Sequence, residues 1–433
     1  MFCKPLPAGQ IFLDNYAFSM HNLLTMYINR QLSPYILKAS RHFPVVLLTG
    51  PRQSGKTTLL RNLSVSGRTF VNLEDLVIRG LALSDPKLFF QRFKPPLIID
   101  EIQHAPQLLS YIKLLVDEQT TRLKPAVGLF WLSGSQNFAL MKNVSDSLAG
   151  RIAIMQLFGF SRYEYAFDAL ARRTSPFFMG KKKYIGSVSG ARELFKYIVR
   201  GSMPKLIVDK KLDHQLYYSS YMQTYLERDI RGEAGVKNLR VFEIFIRLLA
   251  ARAGQLLNMA SLAQEAGVAL NTIKSWVSLL EKTFQIYILK PYHSSLNKRE
   301  VKTPKLYFLD TGLLCYLTQW KDPSTAFSGP MAGVLFENWV ITELVKSYWH
   351  RGQEAPFYFY RTRDGMEVDL LSVDADGIIA CEIKLSAAPN ASFKALRQLE
   401  DKKMIKERFV FSPSEISLPL DKRTTLFPVS AII

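Results

Sequence analysis

Short apolar runs separated by helix-sized intervals form the pattern of residues 29–170. The runs are β-branched or leucine-rich and have the length of strands; they cover residues 45–49, 69–73, 97–99, 129–132 and 152–157. Strands that alternate with helices need crossover connections, which are right-handed and build a mostly parallel sheet covered on both faces. The pattern therefore predicts an α/β domain with a buried parallel sheet over residues 29–170.

The pattern changes twice after this domain. Residues 171–325 have mainly helical periodicity, and residues 326–433 begin with a helix and then show strands near residues 357–361, 367–372 and 378–384. Residues 1–28 form an N-terminal extension in this division. A chain of 433 residues is long enough for about three domains of roughly 150 residues each. Pattern and length thus agree on an α/β multidomain protein.

The net charge of the sequence indicates which class of binding partner is favoured. The sequence holds 56 Lys and Arg against 37 Asp and Glu, a formal net charge of +19. This excess favours an anionic partner, with nucleic acid (DNA before RNA) as the expectation and a membrane surface as the weaker alternative. No uncharged apolar stretch approaches the ~18 residues of a membrane span, and the three cysteines form neither a disulfide framework nor a zinc pattern. The resulting expectation is a soluble cytoplasmic protein.

The first strand runs into a phosphate-binding pattern. Residues 50–57 read Gly-Pro-Arg-Gln-Ser-Gly-Lys-Thr, with a predicted strand before them and a helix after them. In such a P-loop, backbone N–H groups and the positive helix end hold phosphate, Lys56 reaches the β- and γ-phosphates, and the Thr57 hydroxyl ligates Mg²⁺. The pattern predicts ATP and Mg²⁺ as ligands. The expected nucleotide-binding residues are Gly50, Pro51, Arg52, Gln53, Ser54, Gly55, Lys56, Thr57 and Thr58.

Later strand ends supply the remaining groups of an ATPase site. Asp100 is expected to hold Mg²⁺ through water and Glu101 to orient or deprotonate the attacking water, because ligands bind at the carboxyl ends of parallel strands. After the strand at residues 129–132, Ser135 or Gln136 is expected to sense the γ-phosphate. Arg151 is expected either to act as an arginine finger, in cis or across a subunit interface, or to be an ordinary surface or salt-bridged residue.

These landmarks resemble a family. The chain is similar to predicted bacterial and archaeal ATPases of the AAA superfamily, in which an AAA domain (family fourteen) precedes a C-terminal domain of unknown function. The resemblance rests on residues 48–58, 100–103, 133–136, 147–151, 225–230 and 308–313, and covers nearly the whole chain after about residue 29. It implies a P-loop NTPase domain with an AAA/ASCE-type parallel sheet, a helical middle region and a nuclease-like tail.

Two amphipathic helices with a glycine turn follow one another in the middle region. They cover residues 259–266 and 271–280, with Asn271 as the expected N-cap of the second helix. Strand-like runs at residues 284–289 and 305–309 complete a winged-helix-like segment at about residues 240–310. The residues expected at DNA are Asn271, Thr272, Lys274 and Ser275 on the second helix, and Lys290, Lys298, Arg299, Lys302 and Lys305 on the wing. The alternative is a packing or protein-docking unit.

Four residues of the last segment have the order of a nuclease site. Glu337 lies early in a helix, and Asp369, Glu382 and Lys384 lie on two strands joined at Asp-Gly 376–377, a strong hairpin signal. With these two residues at the centre of the turn, Asp369 is opposite Lys384. Since side chains alternate along a strand, Asp369, Glu382 and Lys384 then share one face.

This arrangement resembles the PD-(D/E)xK nuclease superfamily and implies an α/β restriction-endonuclease-like C-terminal domain. Asp369, Glu382 and Glu337 would hold one or two Mg²⁺ ions, which neutralise the scissile phosphate, and Lys384 would stabilise charge or help to activate water. Glu367 is expected on the opposite face, outside the site. The alternative is a solvated hairpin or a binding module without catalysis, since a fold does not determine a function.

Two functions from different classes are compatible with these residues. In the first, an ATP-hydrolysing protein acts on nucleic acid through the winged-helix-like segment and a Mg²⁺-dependent nuclease-like domain. In the second, the nucleotide is a slow switch, and the helical and C-terminal regions dock protein partners. The sequence leaves both the oligomeric state and the pathway open.

Overall fold

The computed structural model describes residues 27–64, 67–120, 126–134, 144, 147–166, 190–233, 236, 238–292, 302–375, 377–386 and 405–429. The predicted N-terminal extension lies outside these residues, apart from Tyr27 and Ile28. None of the helices in the described ranges combines the length and the apolar character that a membrane span requires.

The first sheet has five parallel strands in the order β2-β3-β4-β1-β5. This confirms the predicted parallel α/β sheet. The elements of this domain are α1 (Ser33–Ser40), β1 (Val45–Thr49), α2 (Lys56–Leu63), β2 (Thr69–Asn72), α3 (Leu76–Ser84), α4 (Pro86–Arg92), β3 (Leu97–Asp100), α5 (Leu108–Thr120), β4 (Phe130–Ser133), β5 (Ile152–Gln156) and α6 (Arg162–Ala166).

Both faces of this sheet are buried. Along β1, Val45 and Leu47 belong to one apolar cluster and Val46 and Leu48 to another, because successive side chains of a strand point to opposite faces. Strands β3 and β4 are buried at every position, whereas β5 at the sheet edge is partly exposed. All five strands run in the same direction, so the loops after β1, β3 and β4 meet at one edge of the sheet.

Helices form most of the middle region. In chain order the elements are α7 (Ala191–Arg200), α8 (Pro204–Val208), α9 (His214–Tyr225), a π-helix (Leu226–Glu233), α10 (Leu239–Ala250), α11 (Met259–Ala266), α12 (Leu270–Lys282), β6 (Ile286–Pro291), β7 (Lys305–Phe308), α13 (Thr311–Leu317) and α14 (Pro323–Ser328). The buried carboxylate of Asp310 caps α13 by accepting from Leu313 N at 2.8 Å. It also accepts from Tyr218 Oη at 2.5 Å and Ser202 Oγ at 2.7 Å, which ties α13 to α9 and to the α7–α8 loop.

The second sheet joins the middle region to the C-terminal segment. The segment contains α15 (Ala332–Trp349), β8 (Phe357–Arg361), β9 (Glu367–Asp374), β10 (Gly377–Ile383), β11 (Ile405–Ser412), β12 (Leu418–Pro419) and β13 (Thr424–Pro428). The eight strands have the order β12-β13-β11-β10-β9-β8-β6-β7. Strands β6 and β7 pair antiparallel, as a wing would, but β6 also pairs in parallel with β8. The two strands are therefore part of the C-terminal sheet and not a free wing.

A buried ion-pair network joins the first domain to α15. Arg30 Nε lies 3.0 Å from Glu164 Oε1 and His350 Nδ1 lies 3.2 Å from Glu164 Oε2, with all three side chains at most 3% exposed. Arg30 also donates to the carbonyl oxygens of Ser54 at 2.9 Å and Phe158 at 2.7 Å. Burial alone would raise the pKa of Glu164, but the charges and hydrogen bonds around it hold that pKa well below its usual value. The network fixes α15 against the P-loop domain.

We expect Glu164→Gln to lower the free energy of unfolding by about 3 kcal/mol, because Arg30 would be left buried without an anionic partner. Urea unfolding at pH 7 measures the change. Asp117→Asn is the matched control: Asp117 pairs with Arg151 at 2.7 Å, both side chains are more than a third exposed, and a loss below about 1 kcal/mol is expected. Equal losses of unfolding free energy in the two variants would contradict the role of Glu164 as the buried anionic partner of Arg30.

Candidate functional site

The P-loop lies between β1 and α2, at the edge where the parallel strands end. Gly55 precedes α2 with a φ of +90°, a conformation that favours glycine. A Cβ at Gly50, where φ is +148°, would lie 2.0 Å from the carbonyl oxygen of Leu157, so only glycine lets the loop pass the end of β5. The first N–H groups of α2 have no partner within the helix, and such groups bind anions.

Lys56 lies inside this loop. The residue is 7% exposed, and Nζ donates to the carbonyl oxygens of Gly50 at 3.1 Å and Pro51 at 2.9 Å. Burial lowers the pKa of Lys56 to about 8, although nearby carboxylates act in the opposite direction. The buried hydroxyl of Ser54 has no hydrogen-bond partner among the described residues. A buried cation held only by neutral oxygens, beside an unused hydroxyl, fits a bound phosphate group.

Asp100 closes the other side of the site. It ends β3, is 3% exposed, and accepts hydrogen bonds from Thr57 Oγ1 at 2.9 Å and from Ser133 Oγ. Burial raises the pKa of Asp100, and the two hydroxyls oppose this effect. Glu101 follows with a φ of +57° and accepts a hydrogen bond from Gln103 Nε2. The hydroxyl of Thr57 and the carboxylate of Asp100 fit Mg²⁺, which takes oxygen ligands and keeps several waters.

Three other residues were predicted for this site. Ser135 and Gln136 lie outside the described residues. Arg151 precedes β5 and so lies at the amino ends of the strands, about 16 Å from the carboxyl ends for a strand of this length. Its Nε lies 2.7 Å from Asp117 Oδ1. The arginine finger in cis is therefore wrong, whereas a role across a subunit interface stays a prediction.

A cavity of about 740 Å³ lies beside the start of α2. Apolar side chains of Ile28, Phe160, Pro204 and Val208 line it together with Arg30 and the first turn of α2. Its size and apolar lining suit an aromatic base next to the P-loop. The sequence did not predict this cavity, because its apolar residues come from distant parts of the chain and lie outside the P-loop motif.

Asp369 and Glu382 lie side by side on β9 and β10, with Lys384 between them. Lys384 Nζ lies 2.7 Å from Glu382 Oε2 and 3.5 Å from Asp369 Oδ2, and Ile383 N donates to Asp369 Oδ2 at 2.8 Å. Burial raises the pKa of Glu382 to about 8, and the charge of Asp369 adds to this effect. Burial would lower the pKa of Lys384, but the two carboxylates raise it. Three of the four predicted nuclease residues are thus together.

Glu337 belongs to a neighbouring group of charges. It accepts a hydrogen bond from Tyr307 Oη at 2.6 Å and lies 3.3 Å from Lys305 Nζ, which is also 2.5 Å from Glu367 Oε1. The expectation that Lys305 contacts DNA is wrong, because the residue is 3% exposed and its charge is neutralised internally. The placement of Glu367 on the opposite face is also wrong: Glu367 and Asp369 are two residues apart in β9 and share a face.

The metal site predicted from Glu337, Asp369 and Glu382 is not assembled in this arrangement. Within the described ranges, no group of three or more His, Cys, Asp or Glu side chains is placed to hold one metal ion. The physical reason is that two lysines neutralise the carboxylates: Lys384 holds the pair on β9 and β10, and Lys305 holds Glu337.

The β9–β10 hairpin turns one residue earlier than predicted. Gly377, predicted as a turn residue, already pairs with Asp374, and residue 376 lies outside the described ranges. The next step of the same ladder places Glu382 opposite Asp369, instead of the predicted lysine. Moving the turn by one residue changes the partners without changing the faces, so the hydrophobic pattern cannot separate the two registers.

The two helices of the predicted DNA-reading segment are present. Helix α11 ends at Gly267 with a φ of +66°, and α12 begins after Ala269, which is its N-cap. The predicted N-cap at Asn271 is therefore wrong, because Ala269 takes the extended conformation that precedes a helix and Asn271 lies in the first turn. Asn271, Lys274 and Ser275 are exposed. Of the predicted wing residues, Lys290 and Lys302 are exposed, and Lys298 and Arg299 lie outside the described ranges.

Two relatives of this chain are uncharacterised proteins. An uncharacterised protein of Mycobacterium tuberculosis is 28% identical over 409 residues, which cover 93% of this chain and 84% of that protein. An uncharacterised protein of Haemophilus influenzae is 21% identical over 379 residues, covering 80% and 84% of the two chains.

Among solved structures, a Walker-type ATPase of Pyrococcus abyssi has a TM-score of 0.42 at 14% identity, covering 66% of this chain and 94% of that one. RuvB of Thermotoga maritima has a TM-score of 0.30 at 16% identity, covering 61% and 91%.

Three protein families match successive parts of the chain. Residues 191–324 match a domain of unknown function (DUF8612), and residues 332–432 match another (DUF4143). Residues 42–166 match the family described as an AAA domain, and this range contains the P-loop, Asp100 and Glu101. Residues 42–166, with the candidate nucleotide site, are therefore similar to an AAA domain.

Proposed function

We propose that the protein binds and hydrolyses ATP with Mg²⁺ at the P-loop. The observation that carries this proposal is the position of Lys56, which is buried among neutral oxygens and has no contacting carboxylate among the residues that the structure describes. A polyphosphate supplies the missing negative charge, and the adjacent apolar cavity accepts the base. The proposal further places the protein in the cytoplasm.

Each residue of the site has a separate task in hydrolysis. The N–H groups at the start of α2 and Lys56 bind the phosphates and stabilise the charge that develops during transfer. Thr57 and Asp100 hold Mg²⁺, which neutralises the phosphate oxygens when bound. Glu101 orients the attacking water and accepts its proton, and the hydrogen bond from Gln103 keeps its carboxylate at the site.

We expect Lys56→Ala to abolish ATP binding, and Glu101→Gln to keep binding but to slow hydrolysis by about 100-fold or more, because only the second variant retains the phosphate contacts. Nucleotide titration by calorimetry and a phosphate-release assay measure the two effects. Lys113→Ala is the matched control, because Lys113 is a lysine of α5 that lies outside the site. Hydrolysis at wild-type rates in both site variants would remove the ATPase proposal.

We further propose that the ATPase acts on nucleic acid, with DNA favoured. The net charge of +19 and the exposed polar face of α12 at Asn271, Lys274 and Ser275 support this proposal. Basic and polar groups on one helix face can contact phosphates and base edges. The alternative is a nucleotide-switched regulatory scaffold in which the same face docks a protein.

Binding to duplex DNA is expected to weaken steeply with salt, because Lys and Arg side chains displace counterions from phosphates. We expect Lys274→Gln to reduce the slope of log affinity against log salt by about one unit. Fluorescence anisotropy across a salt series measures the slope, with Lys87→Gln on α4 as the control. If no nucleic acid is retained at low salt, the scaffold function replaces this proposal.

A Mg²⁺-dependent nuclease activity of the C-terminal domain is the second candidate function. The observation in its favour is the pair Asp369 and Glu382 beside Lys384 on one face of β9 and β10. Two adjacent carboxylates repel each other, and a divalent cation relieves that repulsion. The cation would have to displace Lys384, which is 45% exposed and has room to move.

We expect Asp369→Asn and Lys384→Ala each to abolish cleavage of plasmid DNA in the presence of Mg²⁺ or Mn²⁺, because the first removes a metal ligand and the second removes the charge beside the scissile phosphate. Agarose gels of timed digests measure the activity. Asp374→Asn, at the far end of β9, is the control. Cleavage that persists in both site variants would assign the activity elsewhere and leave this domain a binding role.

A further inference from the structure

Among the described residues, side chains of the middle region contact Arg52 and Gln53 of the P-loop. Arg52 Nε lies 2.5 Å from Asp229 Oδ1, and the two side chains are 19% and 8% exposed. Tyr217 Oη donates a hydrogen bond to Gln53 Oε1 at 2.6 Å. Arg52 and Gln53 are consecutive P-loop residues, whereas Tyr217 lies on α9 and Asp229 on the π-helix that continues α9.

Both contacts fall on strained or irregular backbone. Gln53 has a φ of +60°, which side-chain-bearing residues rarely adopt and which persists only where neighbouring groups hold it. The π-helix Leu226–Glu233 is a rare conformation that occurs frequently at functional sites. The joint between the P-loop and the middle region is thus built around a special conformation on each side.

The ion pair lies within the electrostatic field of the phosphate site. The charges of Arg52 and Asp229 both act on Lys56, the first lowering and the second raising its pKa. A polyphosphate beside Lys56 therefore attracts the guanidinium of Arg52 and repels the carboxylate of Asp229. Since an apolar pair of similar volume is often as stable as a buried ion pair, stability alone does not explain charges at this position.

We propose that Arg52 is shared between Asp229 and the phosphates of the nucleotide. Asp229 is then a positioning residue, through which the helical middle region responds to a nucleotide bound in the P-loop. The proposal rests on the ATP binding proposed above. In the empty loop the ion pair holds the π-helix against residues 52 and 53. A bound polyphosphate draws the guanidinium away from Asp229, and the π-helix loses its tie to the loop.

Asp229→Asn tests this proposal, because it keeps the side-chain shape and removes the charge. We expect the variant to bind Mg-ATP and Mg-ADP about 5-fold more tightly than the wild type, since one repelling charge is gone and Arg52 is no longer shared. Glu227→Gln is the matched control on the same helix: Glu227 is 59% exposed and pairs with Arg231 at the surface. Its affinity should equal that of the wild type.

A second readout follows the π-helix directly. ATP should speed amide hydrogen exchange in residues 226–233 of the wild type and of Glu227→Gln. In Asp229→Asn, exchange there should be fast with and without ATP. Arg52→Gln gives an independent test and should weaken ATP binding. The effect of Asp229→Asn on the ATP affinity should be smaller in the Arg52→Gln variant than in the wild type.

The outcomes separate this inference from the proposed function. A wild type that takes up no ATP overturns the ATP-binding proposal itself. If the wild type binds ATP and Asp229→Asn binds it with the same or a lower affinity, the proposed role of Asp229 is overturned and the ATP-binding proposal is kept. Exchange in residues 226–233 that is indifferent to ATP in the wild type has the same consequence.

Discussion

The P-loop domain depends on one constraint: the Lys56 ammonium is buried, and no carboxylate of the described residues contacts it. The ammonium is held by the carbonyl oxygens of Gly50 and Pro51, and such a position is unfavourable for a charge until an anion arrives. The parallel sheet makes it possible, because it delivers the loop after β1 and the acidic end of β3 to one edge. The direction of the strands therefore determines which residues can contact a ligand at this edge.

Charges that lie close to the P-loop are neutralised by residues from other parts of the chain. Arg30 is paired with Glu164, which in turn contacts His350, the C-cap of α15, and Arg52 is paired with Asp229 of the π-helix. Each pair would be costly to break because its members are largely buried. The nucleotide site is therefore connected to the middle region and to the C-terminal domain by interactions that have a preferred geometry.

The two candidate sites differ in how their charges are balanced. The P-loop leaves a buried cation and a buried hydroxyl available for a ligand. In the C-terminal cluster, Lys384 and Lys305 already neutralise the carboxylates. A ligand at the P-loop completes the electrostatic balance, whereas a metal ion at the C-terminal cluster must first displace a lysine. This difference makes ATP hydrolysis the better supported of the two activities.

The sequence by itself determined the features that depend on near neighbours in the chain. Buried strands need apolar runs, a P-loop needs glycines at fixed spacing, and a strand end carries its own carboxylates; the sheet and the placement of Lys56 and Asp100 follow from these rules. The prediction that Glu367 lies on the face opposite Asp369 was wrong, because residues two apart in a strand share a face.

Only the tertiary structure decided which distant residues share a space. Segments far apart in the chain are joined at the cavity beside α2 and in the ion pairs Arg52–Asp229, Lys305–Glu337 and Arg151–Asp117. The hairpin register was also undecided, because both registers bury the same faces. Such contacts are selected by packing and by charge neutralisation across the whole fold, and neither leaves a periodic signal in the local sequence.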